Sequence, residues 1–305
     1  MNEHPLSGCT VNLSISEADD SVARRFPLWQ VERVTLQVTA ALLSQGANVV
    51  FGHDWREDGM MQAVHGFAQQ IQASTPVSSE SVAASRKPLL RNILPWPDAP
   101  RLSSDDLERF GSTLHVESAG LPAEVAPYEN EARRLNASHP LFRYLRARGL
   151  THLRRRLNAE CDARLCIGGR TEGSAGRYPG VIEEALLAIQ EGKPLFLAGF
   201  LGGATRQAIS AIKGYDMPED FCRPGPINEL YEMPPIVETD RGTQIDRTID
   251  RRALWGMLRH AGVAELAEAN HLKPEENQEL FRTSILDRVV ELVVTGLSRL
   301  SPRNA

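Results

Sequence analysis

Short apolar runs separated by amphipathic stretches dominate this chain. Val11-Asn-Leu-Ser-Ile15 alternates as a half-buried strand does, while Ala47-Asn-Val-Val-Phe51, Leu165-Cys-Ile167 and Pro194-Leu-Phe-Leu-Ala198 are nearly continuous apolar runs. Asn92-Ile-Leu-Pro-Trp96 predicts a further strand, kept short by the donor that Pro95 lacks, and Thr113-Leu-His-Val116 predicts another. Helical spacing fills the intervals. Residues 28–45 place Val31, Val34, Val38, Ala41 and Leu42 on one face and stop at Gly46. Met60-Met61 opens a helix, a second runs through residues 141–160, a third starts at Pro179 with Leu186 and Ile189 in step, and a fourth covers 204–212. Residues 104–110 and 129–135 predict shorter helical pieces. Near the end, 248–260 and 276–300 predict two closing helices. The second carries a stripe of Leu286, Val289, Val290, Val293, Leu297 and Leu300, which must be covered by the sheet or by another subunit.

Strand, glycine loop and helix in repeated succession predict an α/β fold: an open, mostly parallel sheet with helices on both faces and a helical C-terminal extension. Residues 1–213 form the sheet domain in this reading. Residues 214–305 add an excursion rich in proline (Pro218, Pro224, Pro226, Pro234, Pro235), a lid or packing arm, and then helices packed on the domain.

Ligands of such sheets bind beyond the carboxyl ends of the strands, and that rule picks out the candidate residues. Ser14 and Ser16 end the first strand, and Glu17, Asp19 and Asp20 follow; either Ser14 or Ser16 faces a ligand, or the whole stretch is a solvated turn with helix-capping residues. After the second strand come Gly52, His53, Gly59 and Met60, with Arg56 nearby, either a ligand loop or a charged surface loop. After the central strand come Gly168, Gly169, Arg170, Thr171, Arg177, Gly180 and Glu184. Gly202 and Gly203 precede the 204–212 helix and offer a second anion-friendly helix start. Residues 141–160 carry Arg143, Arg146, Arg148, Arg154, Arg155 and Arg156, read mainly as a solvated face from which one arginine could reach the anion site.

Charge narrows the function classes. Lys+Arg 34 against Asp+Glu 39 gives a net charge of −5, which argues against a non-specific nucleic-acid binder. No apolar run approaches the roughly 20 residues that cross a bilayer, and no secretory signal is evident, so the expected compartment is the cytoplasm. Cys9, Cys161, Cys166 and Cys222 form no Cys-x-x-Cys pair, and neither a metal site nor a cofactor is expected.

The order of these motifs, from Val-Val-Phe-Gly52 and Gly59-Met-Met61 to Cys-Asp-Ala-Arg-Leu-Cys-Ile-Gly-Gly169 and Pro-Gly-Val-Ile-Glu-Glu184, resembles the SLOG superfamily over about residues 9–205. That Rossmann-like group includes LOG-type "lysine decarboxylase-like" proteins, DprA/Smf proteins and sensor domains found beside TIR and Sir2 domains. LOG enzymes carry P-G-G-x-G-T-x-x-E and hydrolyse the N-glycosidic bond of nucleoside monophosphates. Gly168-Gly169 matches the first half of that signature, and Gly180 with Glu184 matches the second. Cys166-Ile167 replaces Leu-Pro, Val181 stands in the threonine position, and residues 170–179 are inserted between the halves. The upstream LOG arginine corresponds to Arg154 or Arg155.

The resemblance implies three readings. One is a sensor or regulatory protein that binds a nucleotide-derived ligand such as an ADP-ribose or NAD-derived compound, in antiphage defence, with an effector protein as partner. Another is a LOG-like phosphoribohydrolase with Glu184 catalytic and Arg170 or Arg155 on phosphate. The third is a ligand-free scaffold or partner-binding protein. The family and the apolar final helix also imply a homo-oligomer.

Overall fold

Six strands form one parallel sheet in the computed structural model, which describes residues 4–52, 60–74, 88–98, 105, 108, 111, 113–233, 236 and 238–300. They are β1 (Thr10–Ser16), β2 (Asn48–Phe51), β3 (Leu90–Leu94), β4 (Leu114–Ser118), β5 (Ala163–Gly168) and β6 (Leu195–Ala198), in the order β4-β3-β2-β1-β5-β6. Every strand pair is parallel. β5 is buried at all six positions, as a central strand covered on both faces must be. β3 ends at Leu94 because Pro95 cannot donate to the next rung, so the strand lies two residues earlier than the sequence predicts.

Two helical layers cover the sheet. On one face lie α1 (Leu28–Ser44) and α2 (Met60–Ser74), whose Val31, Val34, Val38, Leu42, Val64 and Ala68 pack on Val11, Leu13, Val49 and Leu165. The long α4 (Pro140–Glu160) sets Leu153 and Leu157 against Val50 and Ile93 on the other face; a single helical turn, α3 (Glu129–Ala132), precedes it. α5 (Gly180–Gln190) and α6 (Gly203–Ile212) continue that second layer. Each large apolar side chain fully buried in these layers contributes about 1.5–3 kcal/mol.

The C-terminal part departs from the predicted elements. The excursion contains α7 (Pro226–Glu232), whose Ile227, Leu230 and Tyr231 pack on Tyr144 and Leu145 of α4. α8 (Arg251–Asn270) runs beyond residue 260 and kinks at Gly262, where φ is 62°. The expected 276–300 helix is two helices, α9 (Pro274–Leu280) and α10 (Leu286–Leu300). Between them the Thr283 hydroxyl accepts from the Ile285 N–H at 3.3 Å, a local bond that competes with helix continuation. Val289, Leu292, Val293 and Leu297 of α10 join the α1 layer, so the apolar stripe is covered within the chain. The predicted 104–110 turn lies mostly outside the described residues.

The basic run on α4 is not mainly a solvated face. Arg148 and Arg154 are buried, and none of its six arginines is fully exposed. The excursion covers the side of α4 turned away from the sheet and brings carboxylates with it. Arg148 donates to Asp240 at 2.6 Å, and Arg155 makes a two-pronged pair with Asp246 at 2.7 and 2.8 Å. Tyr144 donates to Asp240 at 2.9 Å; burial, and then the Asp240 charge, push its phenol above the ordinary range.

Candidate functional site

β1 and β5 are neighbours whose following helices lie on opposite faces, α1 on one and α5 on the other. A parallel sheet opens a crevice at such a divergence. A cavity of about 620 Å³ occupies it, within the range of small-molecule sites. Ser14, Ser16, Gly52, Gly169, Arg170, Gly180 and Glu184 line it. Leu28, Val31 and Phe51 add apolar surface from α1 and β2.

Backbone geometry explains the glycines. Gly168 and Gly169 have φ of 73° and 90°, in the left-handed region that favours glycine. A Cβ on Gly169 would come within 2.5 Å of Val181, which fills the LOG threonine position. Gly169 N–H donates to Ser16 C=O at 3.0 Å, locking the β5 corner to the end of β1. Gly176 and Gly180 leave room for a guanidinium: a Cβ on either would meet Arg154 at 2.7 or 2.9 Å. α5 has no side-chain cap, and Gly180 and Val181 of its first turn border the cavity.

Adjacent glutamates on α5 diverge in role, because neighbouring positions on a helix point about 100° apart. Glu184 faces the cavity, with ion-pair contacts to Arg164 at 3.1 Å and Arg154 at 3.6 Å. Its Oε2 is buried and accepts no hydrogen bond. Glu183 is fully buried, accepting from the Thr151 hydroxyl at 2.7 Å and from Arg154, with Arg177 at 3.5 Å. Arg164, fully buried on β5, donates to Ser14 Oγ at 3.0 Å and so joins the first strand to Glu184.

The insert between the glycines is an ordered strap. Thr171 donates from its N–H and its hydroxyl to Asp19, both at 2.6 Å. Partial burial would raise the Asp19 pKa, but the bonds from Thr171 and Glu172 and the Arg170 charge hold it below its ordinary value. At the other end Asp250 N–H donates to the Tyr178 hydroxyl at 2.9 Å. Arg170, Glu172, Gly173 and Ser174 of the strap line the cavity, and Arg170 contacts Glu17 at 3.5 Å.

Several candidates lie elsewhere. Arg177 is buried beneath the strap, donating to Ile245 C=O and paired with Glu183 and Asp246, so its charge is used inside the protein. Thr171 and Gly203 border a separate cavity of about 280 Å³. The start of α6 at Gly203 is taken by Asp20, which accepts its N–H at 2.9 Å and pairs with Arg24, so Gly202 and Gly203 support the neighbouring corner rather than line the main cavity. Gly168 likewise shapes the corner without lining the cavity. Met60 opens α2; His53 and Gly59, with Arg56, lie outside the described residues. The sequence reading missed Arg164. The signal was there, since a charged residue in an otherwise apolar parallel strand must be paired.

Among the described residues no cluster of three or more His, Cys, Asp or Glu is arranged to hold a metal ion, and no helix is long and apolar enough to cross a membrane. A parallel sheet with a ligand-sized cavity at its strand crossover, bordered by a glycine corner and an uncapped helix start, defines a Rossmann-like α/β protein. Within that class the chain belongs to the SLOG cluster2 family, whose model matches residues 5–280. No curated protein and no solved structure matches it.

Proposed function

We propose that this protein binds a nucleotide-derived ligand, of the ADP-ribose or NAD-derived kind, in the β1/β5 cavity and acts as a sensor or regulatory protein through an effector protein partner. The observation that carries this reading is the cavity itself, which combines an apolar wall at Leu28, Val31 and Phe51 with the Gly169 corner, the α5 start and Arg170. An apolar wall suits a base, and an uncapped helix start beside an arginine suits a phosphate. Membership of the SLOG family supports a nucleotide-related ligand.

Binding without cleavage is favoured by the setting of Glu184. A carboxylate that stabilises positive charge developing on a ribose acts best when its own charge is free. Glu184 stands between two guanidiniums, which offset it.

A second reading, N-glycosidic hydrolysis in the LOG manner, rests on the same carboxylate lying in the cavity beside Arg154. A thermal-shift screen with AMP, ADP, ADP-ribose and NAD, followed by product analysis, separates the two. Ligand at 100 times its Kd should stabilise the fold by about 2.7 kcal/mol and be recovered intact. Release of free base that Glu184→Gln abolishes would establish the second reading, and no shift with any nucleotide would refute both.

A further inference from the structure

The charges left over in the cavity point to a selection rule for its ligand. Among the described residues, four carboxylates line the cavity (Glu17, Glu32, Glu172, Glu184) against two guanidiniums, Arg154 and Arg170. Both guanidiniums already have counter-ions: Arg154 has Glu183 and Glu184, and Arg170 has Glu17. Glu32 on α1 and Glu172 on the strap have no ion-pair or hydrogen-bond partner for their carboxylates among the described residues. Both are exposed, so they stand at the open side of the cavity. The anion-accepting feature, the uncapped α5 start, belongs instead to the β5 edge of the cavity.

We infer that Glu32 and Glu172 are specificity-determining residues that select a ligand ending in a neutral, hydroxyl-bearing sugar and reject one ending in a further phosphate. This rests on the proposed nucleotide site. A ribose diol donates to carboxylates, whereas a terminal phosphate has only acceptors and like charge to offer them. ADP-ribose and ATP make a matched pair, since they share adenosine diphosphate and differ in whether a sugar or a phosphate follows. For two carboxylates set one physiological Debye length, about 8 Å, from the two extra charges of ATP, the repulsion would amount to about a tenfold preference for ADP-ribose at low ionic strength. Screening reduces it to about threefold at physiological salt.

The test is titration calorimetry of the full chain with ADP-ribose and ATP at low and physiological salt, repeated on the E32Q/E172Q double variant. The expected result is tighter binding of ADP-ribose by the native protein, a ratio that shrinks with salt, and a gain in ATP affinity in the double variant. Such a gain cannot come from a damaged fold. ATP binding as tightly as ADP-ribose, or a ratio the double variant leaves unchanged, would overturn the inference while leaving the nucleotide site standing. Failure of both nucleotides to bind would overturn the inference, whereas the proposed function falls only if AMP, ADP and NAD give no thermal shift either.

Discussion

Glu183→Gln should cost far more stability than Glu184→Gln, although the two residues are adjacent and the change is the same. Glu183 is fully buried and is the shared counter-ion of Arg154, on Oε2, and of Arg177, on Oε1, where the Thr151 hydroxyl also donates. The amide keeps the shape but removes the charge, and it turns an –NH2 toward a guanidinium that also only donates. Two buried cations then share less negative charge, a loss of about 3–5 kcal/mol. At Glu184 the side chain is 15% exposed, so water can replace part of what is lost, and the cost should stay near 1.5 kcal/mol. With a urea m-value of about 3 kcal/mol/M, Glu183→Gln lowers the unfolding midpoint by about 1–1.7 M and Glu184→Gln by about 0.5 M. Equilibrium urea titrations followed by tryptophan fluorescence read both. If Glu183→Gln unfolds within about 1 kcal/mol of the native protein, or Glu184→Gln proves the more damaging, the assignment of one glutamate to the fold and the other to the cavity is wrong.

Other consequences are as concrete. Gly169→Ala adds left-handed strain of about 1–2 kcal/mol and a collision with Val181 worth about 1–3 kcal/mol more; Val181→Ala in the same chain removes the Cγ2 contact but leaves Cβ 2.9 Å from the added carbon, so it should return only a fraction of the second part, seen as a small partial recovery of Tm. Burial, and then the Glu184 charge, push the Cys166 thiol up to about 12, so a thiol reagent at pH 8 should leave Cys166 unmodified in the native protein and label it after denaturation, as mass spectrometry of peptides would show. Arg299 bonds, at 2.6 and 3.0 Å, hold the Glu276 pKa down at about 2. The folded-state pKa is depressed, so this contribution is complete above the ordinary carboxylate range and is lost as pH falls from there toward 2. Glu276→Gln should therefore flatten the acid limb of a stability-against-pH curve and leave the curve's shape above pH 6 unchanged.

The sheet was legible because β2, β5 and β6 are apolar runs next to glycine or proline and β1 alternates, and periodicity reports both directly. The β5 corner was legible for the same reason, since Gly168 and Gly169 stand where an apolar run stops. Arginine burial was not. A helix whose outer side is covered by polar partners reads like a half-solvated helix, because periodicity registers apolar atoms and is blind to carboxylates arriving from 92 residues away, as Asp240 does for Arg148. Arg177 misled for the related reason that an arginine in a glycine-rich insert looks free until Asp246 is placed beside it. The break between α9 and α10 was hidden because the apolar stripe begins at Leu286, beyond it, and residues 276–285 carry no glycine or proline to mark it; the Thr283 hydroxyl, which accepts the Ile285 N–H there, leaves no trace in the periodicity.

Asp20 at the start of α6 has a bearing on other members of this family. The fold supplies two glycine corners on neighbouring strands, and this chain plugs one of them with its own side chain. A homologue carrying alanine or glycine at the equivalent of Asp20 would have that corner open to an acidic group from outside the chain, so whether it is vacant would be written in a residue 183 positions away in sequence.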